Sequence, residues 1–153
     1  MIIKMTVKEY IDRNLPFYHI TPARNKDSIL KHGLNNGTFN AVCVVRSDNE
    51  DILYDIASTQ LSGNEETKFI VIKLLPKKHN IKAEDVFEDD VTDPTAPLHN
   101  YLRANEYYTI TEEDIITEFD ITQRRNNILD PDIIIPLTGY LNEPVQGNLD
   151  NLY

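Results

Sequence analysis

Apolar positions in this chain recur first at helical spacing and then in short continuous runs. Thr6-Val-Lys-Glu9 is a capping-box pattern; Val7, Tyr10 and Ile11 form the apolar side of a short helix that runs to about Asn14 and is closed by Pro16. Phe17 to Thr21 is rich in β-forming residues and predicts a strand. Asn25 then stands where it would cap a helix through Ser28-Ile-Leu-Lys-His32, with Gly33 at the C-terminal cap. Ala41-Val-Cys-Val-Val45 is apolar throughout, as a buried strand is. Asp48, with Asp51 three residues on, caps a further helix whose Ile52, Leu53, Ile56 and Ala57 share one face. Gly63 falls in a polar turn, and Phe69 to Leu75 is the strongest strand pattern, stopped by Pro76. Ile81 to Glu88 predicts a short helix, and residues 89 to 100 a loop with turns at Asp93-Pro94 and Ala96-Pro97. Glu106 to Ile110 and Ile115 to Ile121 predict strands around a capped turn at Thr111 to Asp114. Ile133 to Ile135 reads as an edge strand between Pro131 and Pro136, and the last dozen residues, rich in Asn and Asp, as frayed. Strands mixed with helices, followed by strands alone, describe an α+β fold rather than a doubly wound parallel sheet.

The length fits this pattern to one domain: 153 residues can bury a core without a metal or disulfide staple. The core is expected over about 17–121, with 122–153 as a C-terminal extension. Charge narrows the function classes. With 25 acidic against 15 basic residues and a net charge of -10, the chain lacks the composition of a general nucleic-acid coat or an anionic-membrane binder. A local basic cleft remains compatible with that balance. The single cysteine, Cys43, excludes an internal disulfide and fits a reducing compartment. No apolar run has the length of a membrane span, and the N-terminal MIIKMTVKEY lacks a signal peptide's apolar stretch. The expectation is a cytoplasmic monomer.

Several chemistries lose their residues on inspection. His19, His32, His79 and His99 have no partner at metal-ligand spacing, so no metal is expected. No glycine loop of the phosphate-binding kind exists among five glycines. Cys43 lies in an apolar run, where an inert buried thiol is expected. Six carboxylates between Glu84 and Asp93 lack calcium-loop spacing and read as a solvated face.

Three segments in order carry more. The first is Tyr18-His-Ile-Thr-Pro-Ala-Arg-Asn-Lys-Asp-Ser-Ile-Leu-Lys-His-Gly-Leu34. It resembles the opening of ADP-ribosyltransferases of the diphtheria-toxin and poly-ADP-ribosyl-polymerase type, and within them looks most like the DNA-modifying toxins. His19, Thr21, Asn25, Ser28, Ile29, Leu30, Gly33 and Leu34 fill that pattern. The second, Ala41 to Ala57, looks like the superfamily's second strand and following helix. Arg46 is similar in place to the toxins' strand-end arginine, although the prolines that flank it there are missing. Tyr54 occupies the helix-tyrosine position, and Cys43 stands where a strand tyrosine is common. The third, Leu102-Arg-Ala-Asn-Glu-Tyr-Tyr-Thr-Ile110, resembles the strand that keeps the catalytic glutamate, with Glu106 as the match. Ala104 stands where arginine-modifying transferases carry Glu or Gln, which disfavours arginine as acceptor.

The resemblance implies a single domain of split mixed or antiparallel sheets with a few flanking helices. It also implies NAD as substrate, nicotinamide release, and transfer of ADP-ribose to a macromolecule, either nucleic acid or protein. In that reaction the bond between nicotinamide and ribose breaks through an oxocarbenium-like centre, as in glycoside hydrolysis. Glu106 would hold the ribose 2′-hydroxyl more tightly as positive charge develops. His19 would orient a ribose, Thr21 and Asn25 would line the cleft, and Tyr54 would offer a ring face to nicotinamide. Arg46 would hold the pyrophosphate or the acceptor with a forked permanent charge. The net charge weighs against a nucleic-acid acceptor, which would need Arg24, Lys26, Lys31, Arg46 and Arg103 on one face. Cys43 and the missing prolines favour a different class, a non-catalytic domain that binds a nucleotide or protein. Transfer of an RNA 2′-phosphate to NAD would need more basic residues than the chain offers.

Overall fold

A computed structural model describes residues 5–34, 41–46, 50–61, 63, 65–88, 99–103, 107–123 and 137–138. The fold is mixed α+β. Two short segments, β1 (Met5–Thr6) and β8 (Leu137–Thr138), pair in parallel. Helix α1 (Val7–Asp12) starts at Thr6, whose hydroxyl accepts from Glu9 N at 3.1 Å, as the capping pattern predicts. It ends where Asn14 turns left-handed (φ 56) and its side chain accepts from Lys77 N at 2.9 Å.

The body is one six-stranded antiparallel sheet. Its strands are β2 (Phe17–Pro22), β3 (Ala41–Val45), β4 (Lys68–Leu74), β5 (Val86–Glu88), β6 (His99–Arg103) and β7 (Ile116–Asp120), in the order β5-β6-β3-β2-β4-β7. Alternation along the strands gives the sheet two apolar faces. Phe17, Val42, Val44, Ile70, Ile72, Leu74 and Leu102 point to the face covered by Tyr10 of α1 and Ile29 of α2 (Lys26–His32). Ile20, Val45, Phe69 and Val71 point to the other, covered by Leu53, Tyr54, Ala57 and Leu61 of α3 (Glu50–Leu61). Ile70, Ile72, Phe69 and Leu74 are wholly buried, each contributing on the order of 2 kcal/mol by leaving water.

Several local expectations change. Asn25 does not cap α2: it ends a 3-10 turn (Ala23–Asn25) in helical geometry, and its side chain donates to Thr21 Oγ1 at 2.9 Å instead. A capping residue has an extended backbone, whereas Asn25 is already helical (φ -83, ψ -7). Ile81 to Glu88 is not a helix but one 3-10 turn (Ala83–Asp85) followed by β5, because Val86 joins the sheet opposite Leu102. The segment ending at 100 is already strand at His99, and β6 was hidden by its polar start. Tyr107 to Ile110 is no strand; a single bridge joins Tyr108 to Leu34. Gly33 sits beside that bridge at φ 80, and a β-carbon there would come within 2.6 Å of the Tyr108 carbonyl oxygen. Asp48, the loop residues 89–98, Ile133 to Ile135 and the last dozen residues lie outside the described residues, as does most of the extension 122–153. No helix among the described residues is long and apolar enough to cross a membrane.

Between β4 and β7, a polar knot fastens the loops. Asp114 Oδ1 accepts from His79 Nε2 and Lys78 Nζ, each at 2.9 Å, while its Oδ2 accepts from Thr111 N at 2.9 Å. Burial opposes ionisation of Asp114, but these hydrogen bonds together hold its carboxyl below the ordinary range.

Candidate functional site

β2 is the strand on which the candidate residues converge, and its two edges differ. Toward β4 it shares six register pairs, Phe17↔Leu74 through Pro22↔Phe69. Toward β3, among the described residues, it shares one, Tyr18↔Val45. The sheet therefore splits beyond Tyr18, and Ile20 to Pro22 draw away from Ala41 to Cys43. Pro22 has no N–H to offer a ladder, so the last position of the strand adds nothing to closing the gap.

Side chains take up backbone groups that the missing ladder leaves. The His19 ring bonds the Cys43 carbonyl oxygen through Nδ1 at 2.8 Å. A carbonyl only accepts, so Nδ1 carries the proton and Nε2 is the lone-pair nitrogen of the neutral ring. Burial lowers the His19 pKa below its ordinary value and outweighs the Cys43 hydrogen bond, which pulls it up, so burial favours the neutral ring at physiological pH. From the α3 side, Gln60 Nε2 donates to the Ile20 carbonyl oxygen at 3.0 Å. Each edge of the split is thus capped by one side chain.

Thr21 lies two residues beyond His19 on the same face, 6% exposed, and receives the Asn25 amide. Arg46 follows the end of β3, on the face of Val42 and Val44. It is buried, and its Nε donates to Asn100 Oδ1 at 2.6 Å. Its guanidinium lies 5.9 Å from the centroid of the Tyr10 ring, within cation–π range. Burial lowers its pKa to about 10, with Tyr10 pulling the other way, so it is still a cation at neutral pH. His19, Thr21 and Arg46 therefore project from one face of the sheet, the one that α1 and α2 cover.

Tyr54 does not join them. It is 4% exposed on the α3 face, with edge contacts to Phe69 (ring centroids 5.2 Å apart) and Phe119 (5.8 Å). Glu106 lies outside the described residues. The chain two residues beyond it is anchored: Leu34 N donates to Tyr108 O at 2.8 Å and Tyr108 N to Leu34 O at 3.0 Å.

Two polar residues escaped the sequence reading. Asn100 is 2% exposed; it faces Val44 across the β3–β6 ladder, and its Nδ2 donates to Phe87 O at 3.1 Å. Both ends of its amide are thereby engaged, which fixes its orientation against Arg46. Its one sequence signal was the two-residue step to Leu102, which places both on the buried face. Gln60 left no signal, since a helix glutamine near a C-terminus ordinarily faces water. Among the described residues no three His, Cys, Asp or Glu side chains are grouped to hold a metal. Comparison with protein-family models, with curated proteins and with solved structures gives no match to this chain.

Proposed function

We propose that the chain binds NAD at the split between β2 and β3 and transfers its ADP-ribose to a macromolecule, releasing nicotinamide. The observation that carries this reading is the junction itself: one register pair, with His19 bonded across the gap to the Cys43 carbonyl oxygen, on the face that also holds a buried arginine. An unpaired stretch inside a sheet is a costly feature to keep, since ladder groups must find other partners. A ligand-binding role accounts for it.

The chemistry follows from the residues. His19 Nε2, as the lone-pair nitrogen, accepts a ribose hydroxyl proton in a hydrogen bond, and the Nδ1 bond to the strand stops the ring from turning. Arg46 supplies the positive charge that a dianionic pyrophosphate needs in a chain of net charge -10. In the transfer, the bond from ribose C1′ to the nicotinamide nitrogen breaks and its electron pair leaves with nicotinamide. The acceptor's nucleophilic atom bonds C1′ and loses its proton. Glu106 is the carboxylate proposed to grip the 2′-hydroxyl as charge builds at C1′. Its loss is expected to slow transfer about a hundred- to a thousandfold. The reducing, NAD-containing cytoplasm suits both the substrate and the lone buried thiol of Cys43.

A second reading has its own support. The polar strand residue set against Arg46 is Asn100, a neutral amide, and Tyr54 spends its ring on the core. Both features suit a domain that binds a nucleotide without cleaving it. Incubation with NAD, with and without cell lysate, and measurement of free nicotinamide separates the two. Release by the native chain that falls at least a hundredfold in Glu106→Ala is the expected result. Binding of NAD without release under any acceptor would favour the second reading, and release unchanged in Glu106→Ala would remove that residue from the site. Labelled NAD followed into separated protein, DNA and RNA identifies the acceptor.

A further inference from the structure

Among the described residues, Gln60 Oε1 is the one buried side-chain nitrogen or oxygen with no hydrogen-bond partner. Its identity as oxygen is set by the other end of the amide. Nε2 must face the Ile20 carbonyl at 3.0 Å, because the flipped amide would set two acceptors against each other. The orphan is thus an acceptor held in place at the open edge of β2. Leaving a buried acceptor unmade is unfavourable, and a group kept in that condition calls for an explanation.

Its position supplies one. Gln60 enters the split from the α3 face, while His19 caps the opposite edge at Cys43. A group inserted between the two edges meets a fixed acceptor on one side. We propose that Gln60 Oε1 is a specificity determinant of the split, accepting a hydrogen bond from the carboxamide N–H of the ligand's pyridine ring. This assignment rests on the NAD reading of the same site. Oε1 is closed to solvent, so the ligand reaches it as the split widens. That motion breaks no ladder beyond the single pair at Tyr18.

The recognition is polar in a defined sense. A carboxamide carries N–H donors; the corresponding carboxylate has none and would set its negative oxygens against Oε1. The test is calorimetric titration of the full chain with NAD and with its deamido analogue, in which the carboxamide is a carboxylate. The native chain is expected to bind NAD about tenfold more tightly or better, as one hydrogen bond and one avoided repulsion imply. Gln60→Met keeps the length and apolar stem without the acceptor, and is expected to bring the two ligands to within about twofold. Gln60→Leu serves as a second variant, and the native ratio needs no variant at all. A native chain that binds both ligands alike overturns the assignment while leaving the NAD reading intact. A tenfold preference that survives in both variants overturns it too, since the analogue's extra charge would then be sensed elsewhere. A native chain that binds neither ligand overturns the NAD reading and this assignment with it.

Discussion

The two edges of β2 solve the same problem in opposite ways. Along β4 the backbone is satisfied by an unbroken ladder of six pairs, with Phe69, Ile70, Ile72 and Leu74 sealing both faces. Along β3 the ladder stops after one pair, and His19 and Gln60 reach in to hold single carbonyl oxygens. Opening a ladder gives up several coupled hydrogen bonds at once, whereas each side-chain cap gives up one. The contrast teaches where the sheet is built to stay shut and where it can admit something.

That contrast can be broken from the closed side. Ile72 stands directly opposite His19 and is wholly buried, so Ile72→Ala is expected to cost about 2–5 kcal/mol in chemical denaturation. His19→Ala, on the other edge of the same pair, removes one partly buried hydrogen bond and is expected to cost about 1–2 kcal/mol. Its effect on NAD binding should be the larger of the two. If Ile72→Ala weakens NAD binding more than His19→Ala does, at temperatures where both are folded, the site has been put on the wrong edge.

Acidity sharpens the comparison further. His19 has a folded pKa below its unfolded value of about 6.5, so the unfolded chain takes up more protons as pH falls through that range. The stability owed to neutral His19 is whole above about pH 6.5 and drains away below it. Asp114, whose pKa is lowered, gives a different window: its contribution is present above about pH 4 and lost as pH falls through its depressed folded value. Denaturation midpoints between pH 7.5 and 5.5 should therefore fall in the native chain, and fall less in His19→Gln. An equal slope in both would mean that the ring is not held neutral. The smallest effect is expected for Asn25→Ala, about 1 kcal/mol or less, from loss of the bond to Thr21 near the mouth of the split.

Much of the scaffold was legible from local pattern. The Thr6 cap, the apolar runs of β3 and β4, the helix over residues 50–61 and the Thr111–Asp114 turn all stand where spacing puts them, because each is decided by neighbours in sequence. β5 and β6 were misread for the opposite reason. Val86 and Asn100 become strand only by pairing with each other's segment and with β3, and Asn100 is a poor strand former taken alone. The site divides along the same line. His19, Thr21 and Arg46 are named by the resemblance alone. Alternation puts His19 and Thr21 on one face of β2, but the Tyr18↔Val45 register is needed to bring Arg46 to it. Asn25 reads as a cap because its true partner, Thr21, is a side chain rather than the backbone ahead of it. Asn100 and Gln60 act across 54 and 40 residues, distances over which a single sequence carries no pairing signal. Tyr54 has a helix-face pattern that fits a core ring as well as a ligand platform, and the core took it.

Backbone hydrogen exchange, read by mass spectrometry with and without saturating NAD, tests the central claim most directly. Without ligand, the segments 18–22 and 41–45 should exchange faster than 68–74, and NAD should slow the first two while leaving the third unchanged. NAD that alters neither split segment, or that protects β4 and β7 alone, would contradict the assignment of the split as the ligand site.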